Sequence, residues 1–106
     1  MNLLKIAREF ANEIIMKFDN EIESASIYGS VVSGKDTRES DIDILIVTKK
    51  DKSKIDDKIH LLVIEFLLRT KELISPIVIS KEEFEKCLKL RTPYVRNVIY
   101  NGIKIK

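Results

Sequence analysis

The sequence predicts an α/β (α+β) fold, a small mixed β-sheet covered by helices, and three observations carry that expectation. Apolar residues at helical spacing alternate with short β-branched runs, in the order helix, strand, turn with short helix, strand, helix, strand, helix, helix. The 106 residues suffice for one core and little more, so a single domain over 1–106 is expected. Hydrophobic residues make up 44% and charged residues 34%, the balance of a globular domain with a densely charged surface.

Each element has its own signal. Leu3, Ala7, Phe10, Ile14 and Phe18, with Leu4, Ala11 and Ile15 beside them, mark a first amphipathic helix that Asp19-Asn20 ends. Ile22 to Tyr28 reads as the first strand, with imperfect alternation, and Ile42 to about Thr48 as the second. A charged connection, Lys49 to Asp57, follows, and Ser53 with Asp56 fits a capping box. Ile55, Ile59, Leu62, Val63, Phe66 and Leu67 then form the strongest helical stripe. Leu61, Ile64 and Leu68 widen its apolar face, enough for one side on the sheet and one on a partner. His60, alone on this helix, reads as a surface residue.

Ile74 to Ile79 is a third strand, and Pro76 assigns it to an edge because proline cannot donate to a ladder. Ser80-Lys81-Glu82-Glu83 is a capping box ahead of Phe84, Cys87 and Leu88, where Cys87 reads as packing rather than reactive thiol. Thr92-Pro93 opens a last helix with the stripe Tyr94, Val95, Val98 and Ile99, and Gly102 stops it. Ile103 and Ile105 alternate with lysines and extend to a short terminal strand.

Composition excludes several classes. A net charge of +2 supplies no global field for nucleic acid. There is no run of about 18 apolar residues to span a bilayer, and the N-terminus lacks a signal-peptide pattern. The single cysteine forms no internal disulfide and no Cys/His cluster suggests zinc. A cytoplasmic location is the expectation. Lys, Glu and Ile are abundant and glutamine is absent, a weak thermophilic signature.

The chemistry concentrates between Tyr28 and Val47, read Y-G-S-V-V-S-G-K-D-T-R-E-S-D-I-D-I-L-I-V. Asp41 and Asp43 stand at i and i+2 at the mouth of an apolar strand, so their side chains share one face, alpha carbons roughly 6.5 Å apart. Two such carboxylates repel unless a cation lies between them, and their hard oxygens suit magnesium or manganese. Gly29-Ser30 follows the first strand and precedes a short apolar segment that reads as a helix starting near Ser30. Glycine lets backbone approach a ligand closely, and the free amides at a helix start hold an anion. Phosphate on one side and metal-binding carboxylates on the other describe a nucleoside triphosphate site. The run Gly29 to Asp36 also approximates a phosphate-binding P-loop, but Asp36 replaces the required hydroxyl and no helix pattern follows Lys35.

Gly-Ser, then Gly34, then Ser-Asp-Ile-Asp before an apolar strand resembles the signature of the nucleotidyltransferase fold of the DNA polymerase beta superfamily, and more narrowly the minimal nucleotidyltransferases. The resemblance implies binding of a nucleoside triphosphate such as ATP through Gly29 and Ser30. It implies divalent metal, Mg2+ or Mn2+, held by the catalytic pair Asp41 and Asp43, and transfer of a nucleoside monophosphate to an acceptor hydroxyl. It also imports a partner, since minimal nucleotidyltransferases often pair with a helical HEPN-type protein as antitoxin to toxin. A homodimer would use the same wide face of the long helix. One departure stands out. The family's third carboxylate lies on the strand after the long helix, at the position of Ser75, and that strand contains no Asp or Glu. Glu72 is nearest but lies three residues upstream. Loss of a positioned base removes about 10² to 10⁴ in rate, so a weakened nucleotide-binding or partner-binding module stands as the alternative reading.

Overall fold

The computed structural model describes residues 3–29, 32, 42–50 and 53–106. The apolar stripe near the N-terminus folds as helix α1 (Leu3–Phe18), burying Leu3, Ile6, Ala7, Phe10, Ala11 and Ile14. Strands β1 (Ile22–Tyr28) and β2 (Ile42–Thr48) follow, then helix α2 (Ser53–Thr70) and strand β3 (Ile74–Ser80). Helices α3 (Lys81–Leu90) and α4 (Pro93–Asn101) and a two-residue strand β4 (Ile103–Lys104) complete the chain. The described strands form one mixed sheet in the order β3-β2-β1-β4. The β1–β2 and β1–β4 pairs are antiparallel and the β2–β3 pair is parallel, α2 supplying the crossover a parallel pair requires.

Period-two alternation along β2 builds two different faces. Ile42, Ile44 and Ile46 are fully buried in the main core, with Phe10 and Ile14 of α1 and Ile59, Val63 and Phe66 of α2. Phe10 and Phe66 meet edge to face at 5.2 Å, and the Arg69 guanidinium lies 4.4 Å over the Phe66 ring. On the opposite face Tyr28, Leu45, Val47 and Val98 form a smaller cluster with Ile79, Phe84 and Tyr94, under α3 and α4.

The caps match the chemistry of their residues. Ser80 Oγ accepts from the Glu83 amide while the Glu83 carboxylate accepts from the Ser80 amide, each at 3.1 Å, the expected reciprocal box. Thr92 Oγ1 accepts from the Val95 amide at 3.3 Å, and Pro93 occupies the first turn of α4. Ser53 is already the first residue of α2 rather than its preceding cap. Gly102 ends α4 at φ −80°, so the stop is one of space and not of left-handed backbone. A Cβ there would press on the Val98 carbonyl oxygen and lie 3.0 Å from that of Ile27.

The long helix divides more sharply than its sequence stripe suggests. Ile55, Ile59, Leu62, Val63 and Phe66 are buried, whereas Leu67, expected with them, joins Leu61, Ile64 and Leu68 among the exposed apolar side chains. Leu67 lies about 100° of helical rotation from Phe66, which already fills the core-facing position. α3 buries no residue fully, and Leu88, expected on its packed stripe, is exposed. His60 is exposed, as expected, its Nδ1 lying 2.8 Å from the Asp56 carbonyl oxygen. Among the described residues no helix is long and apolar enough to cross a membrane.

Candidate active site

Backbone pairing alone assembles a row of side chains across three strands. Tyr28, the last residue of β1, is the register partner of Asp43 on β2, and Asp43 is the register partner of Ser75 on β3. Cross-strand partners project from the same face. Leu45, two residues beyond Asp43, belongs to the cluster under α3 and α4, so the row lies on that face, at one end of the strands.

The carboxylate lies directly against the chain reversal after β1. Gly29 has φ +85°, and a Cβ placed on it would stand 2.5 Å from Asp43 Oδ2 and 3.4 Å from Cγ. Both facts require glycine: the backbone lies in the region L side chains avoid, and the space is taken by the aspartate. Val32, the one described residue in the segment expected to be a short helix, is helical, and its amide donates to the Gly29 carbonyl at 3.1 Å. Ser30 and Asp41, expected beside Gly29 and Asp43, lie outside the described residues.

Two tyrosines close the site from the α4 side. The Tyr94 hydroxyl donates to the Tyr28 hydroxyl at 3.0 Å, and the rings meet edge to face at 5.3 Å. Burial pushes the Tyr28 phenol above its ordinary pKa, against the hydrogen bond from Tyr94 and with help from the Asp43 charge. Burial raises Tyr94 further, then the Tyr28 hydrogen bond, with Asp43 again contributing. Both phenols are neutral donors at physiological pH, next to a negative charge. Their 66-residue separation hid the pair from the sequence. The available signal was a polar tip at the end of β1 and another on the buried stripe of α4, and a buried tyrosine hydroxyl usually finds a partner.

The structure therefore brings together Gly29, Asp43 and Ser75. Glu72, the nearest acid to Ser75 in sequence, sits in the connection ahead of β3, its amide donating to Thr70 Oγ1 at 3.2 Å. No group of three His, Cys, Asp or Glu side chains that could hold a metal occurs among the described residues. The donor types at the Asp43–Ser75 position, a carboxylate and a hydroxyl, nevertheless fit a hard divalent cation that completes its shell with water and phosphate oxygens.

Comparison with known proteins gives concordant results. The family described as nucleotidyltransferase domain matches residues 8–105. A protein of Methanocaldococcus jannaschii named "Putative protein adenylyltransferase" is 37% identical over 102 residues, 96% of each chain. A second of the same description from that organism is 26% identical over 106 residues, 99% of this chain and all of the other. A crystal structure of a "putative nucleotidyltransferase" from Sulfolobus solfataricus superposes with a TM-score of 0.52 at 24% identity, covering 96% of this chain and 78% of that one. That likeness shows the fold.

Proposed function

Because the chain belongs to the nucleotidyltransferase domain family, we propose that it transfers adenosine monophosphate from ATP to a hydroxyl on an acceptor protein. The observation that carries this reading is the seating of the Asp43 carboxylate against the bare α-carbon of Gly29, beside Tyr28 and Ser75. Backbone at Gly29, with the amide of Ser30, receives the triphosphate, where a side chain would block the approach. Asp41 and Asp43 would hold Mg2+ or Mn2+, which when bound would offset charge on the transferred phosphoryl group and the leaving pyrophosphate. The acceptor oxygen bonds to the α-phosphorus, and the bond to the bridging oxygen of pyrophosphate breaks. The acceptor's proton passes to an aspartate carboxylate or to water. The neutral hydroxyl of Tyr28, which accepts from Tyr94, adds a hydrogen-bond donor next to the reacting phosphates.

A second reading has its own observation. Ser75, and no acid, is the register partner of Asp43, so catalysis weakened by lack of a third carboxylate leaves a binding module. In the toxin-antitoxin arrangement the module binds a helical partner of the HEPN type, for which the outward Leu61, Ile64 and Leu68 of α2 offer an apolar contact. Incubation with radiolabelled ATP, magnesium and a candidate partner separates the readings. Label on the partner, lost in Asp43→Asn, supports the transferase; a tight complex without label supports the module. Ser75→Asp sharpens the test, since an added carboxylate should strengthen manganese binding and accelerate transfer. A loss of stability that manganese cannot restore would sink the placement of Ser75 at the metal.

A further inference from the structure

Arg91, in the connection between α3 and α4, and Arg96, on α4, line a cleft that the proposed chemistry does not use. This cleft, of about 400 Å³, is lined by Leu88, Arg91, Val95, Arg96, Ile99 and Tyr100. Leu88, Ile99 and Tyr100 on its wall are each at least 40% exposed. The charged side chains among the residues lining the cleft are Arg91 and Arg96, with Glu82, Glu83 and Glu85 elsewhere on α3. α4 carries no acidic residue, and among the described residues no ion pair involves Arg91 or Arg96. Arg91 is fixed at the end of α3 in left-handed backbone, φ 52°, its amide donating to the Cys87 and Leu88 carbonyls.

The cleft adjoins the active site through the same helix. Arg91, Val95 and Arg96 bracket Thr92–Tyr94, and the Tyr94 hydroxyl reaches Tyr28, the neighbour of Asp43. Guanidinium forks pair bidentately with carboxylates, as they do with phosphates, and the apolar part of the wall takes leucine- or phenylalanine-like side chains.

We infer that the α3–α4 cleft docks the acceptor protein through an acidic segment with interspersed apolar side chains. The inference rests on the transferase reading for the identity of the ligand as acceptor, but the docking itself is read without catalysis. RNA, which would also meet two arginines and an exposed tyrosine, is disfavoured by the low net charge of +2.

The experiment uses fluorescence anisotropy with three probes: a synthetic peptide alternating glutamate with leucine around one tyrosine, the same peptide with lysine for each glutamate, and polyuridine RNA. Wild type should bind the acidic peptide, and Arg96→Glu should weaken it by about tenfold or more through like-charge repulsion. Arg91→Asn gives the second variant, because asparagine tolerates left-handed backbone and preserves the fold; it should weaken the peptide severalfold. Affinity for ATP should be the same in all three proteins. Failure to bind the acidic peptide, equal binding of the lysine peptide, or tighter binding of RNA would each overturn the inference. Loss of ATP affinity in the arginine variants would reassign the cleft to the nucleotide. Peptide binding without AMP transfer to its tyrosine would leave the docking surface standing and count against the transferase reading alone.

Discussion

The two faces of β2 differ in what they spend their residues on. Toward α1 and α2, Ile42, Ile44 and Ile46 are wholly buried among phenylalanine, isoleucine and leucine. Toward α3 and α4, the same strand presents Asp43, then Leu45 and Val47 beside a pair of hydrogen-bonded tyrosines. One face closes on itself and the other is left open at its polar end. A strand one residue out of register would exchange these faces and bury a carboxylate in the main core, so the alternation that folds the domain also keeps Asp43 out of that core.

Stability measurements should separate the faces in magnitude. Ile44→Ala removes a fully buried side chain from the closed face and should cost about 2–5 kcal/mol in urea unfolding. A loss under about 1 kcal/mol would mean that this face is not the core. Gly29→Val comes next, because a β-branched residue at φ +85° against Asp43 should cost about 1–3 kcal/mol. It should also abolish ATP binding at protein concentrations where the variant remains folded, and normal ATP affinity would count against the Gly29 anchor.

Tyr94→Phe deletes one neutral hydrogen bond on the open face and should cost about 1 kcal/mol at pH 7. Its pH signature is the sharper readout. Both phenols titrate above their ordinary value of 10.0 in the folded protein. The folded state therefore holds protons that the unfolded chain releases, and stability present below pH 10 falls as pH rises above it. Wild type should lose stability steeply on the alkaline side, and Tyr28→Phe/Tyr94→Phe should flatten that decline; parallel curves would show that the pair is not what titrates. Asp43→Ala should have the smallest effect, within about 0.5 kcal/mol without metal, while removing magnesium-dependent ATP binding. A steep drop in metal-free melting temperature would make Asp43 a structural residue and erase the contrast between the faces.

Local patterns made most of this architecture readable. Ser80 and Glu83 announced their box, Thr92-Pro93 its helix start, and Ile22 to Tyr28 its strand at the observed boundaries. The position of Ser75 opposite Asp43 followed from counting back from a well-marked helix start. What sequence could not resolve was the depth of packing around a wide helical stripe. Ile6 belongs to the core although it was absent from the stripe read on α1, and Leu67, Leu88 and Ile99 are exposed although they were assigned to one. In each case the outcome depends on which neighbours arrive from elsewhere in the chain. The Tyr28–Tyr94 pair is of the same kind, since neither tyrosine carries local information about the other.

Pro76 has a consequence for how this protein meets others of its kind. The Ile42 amide donates to the Leu73 carbonyl, and in a parallel ladder the donors of alternate residues point the same way. Ser75, Ile77 and Ile79 thus direct their backbone groups to β2, while Ile74, Pro76 and Val78 direct theirs to the open edge. The ring nitrogen of Pro76 sits where an unpaired N–H would otherwise stand in mid-strand, so its absence costs the native ladder nothing. The exposed edge of β3 is thus a broken template for a strand of another chain, one donor short at its centre.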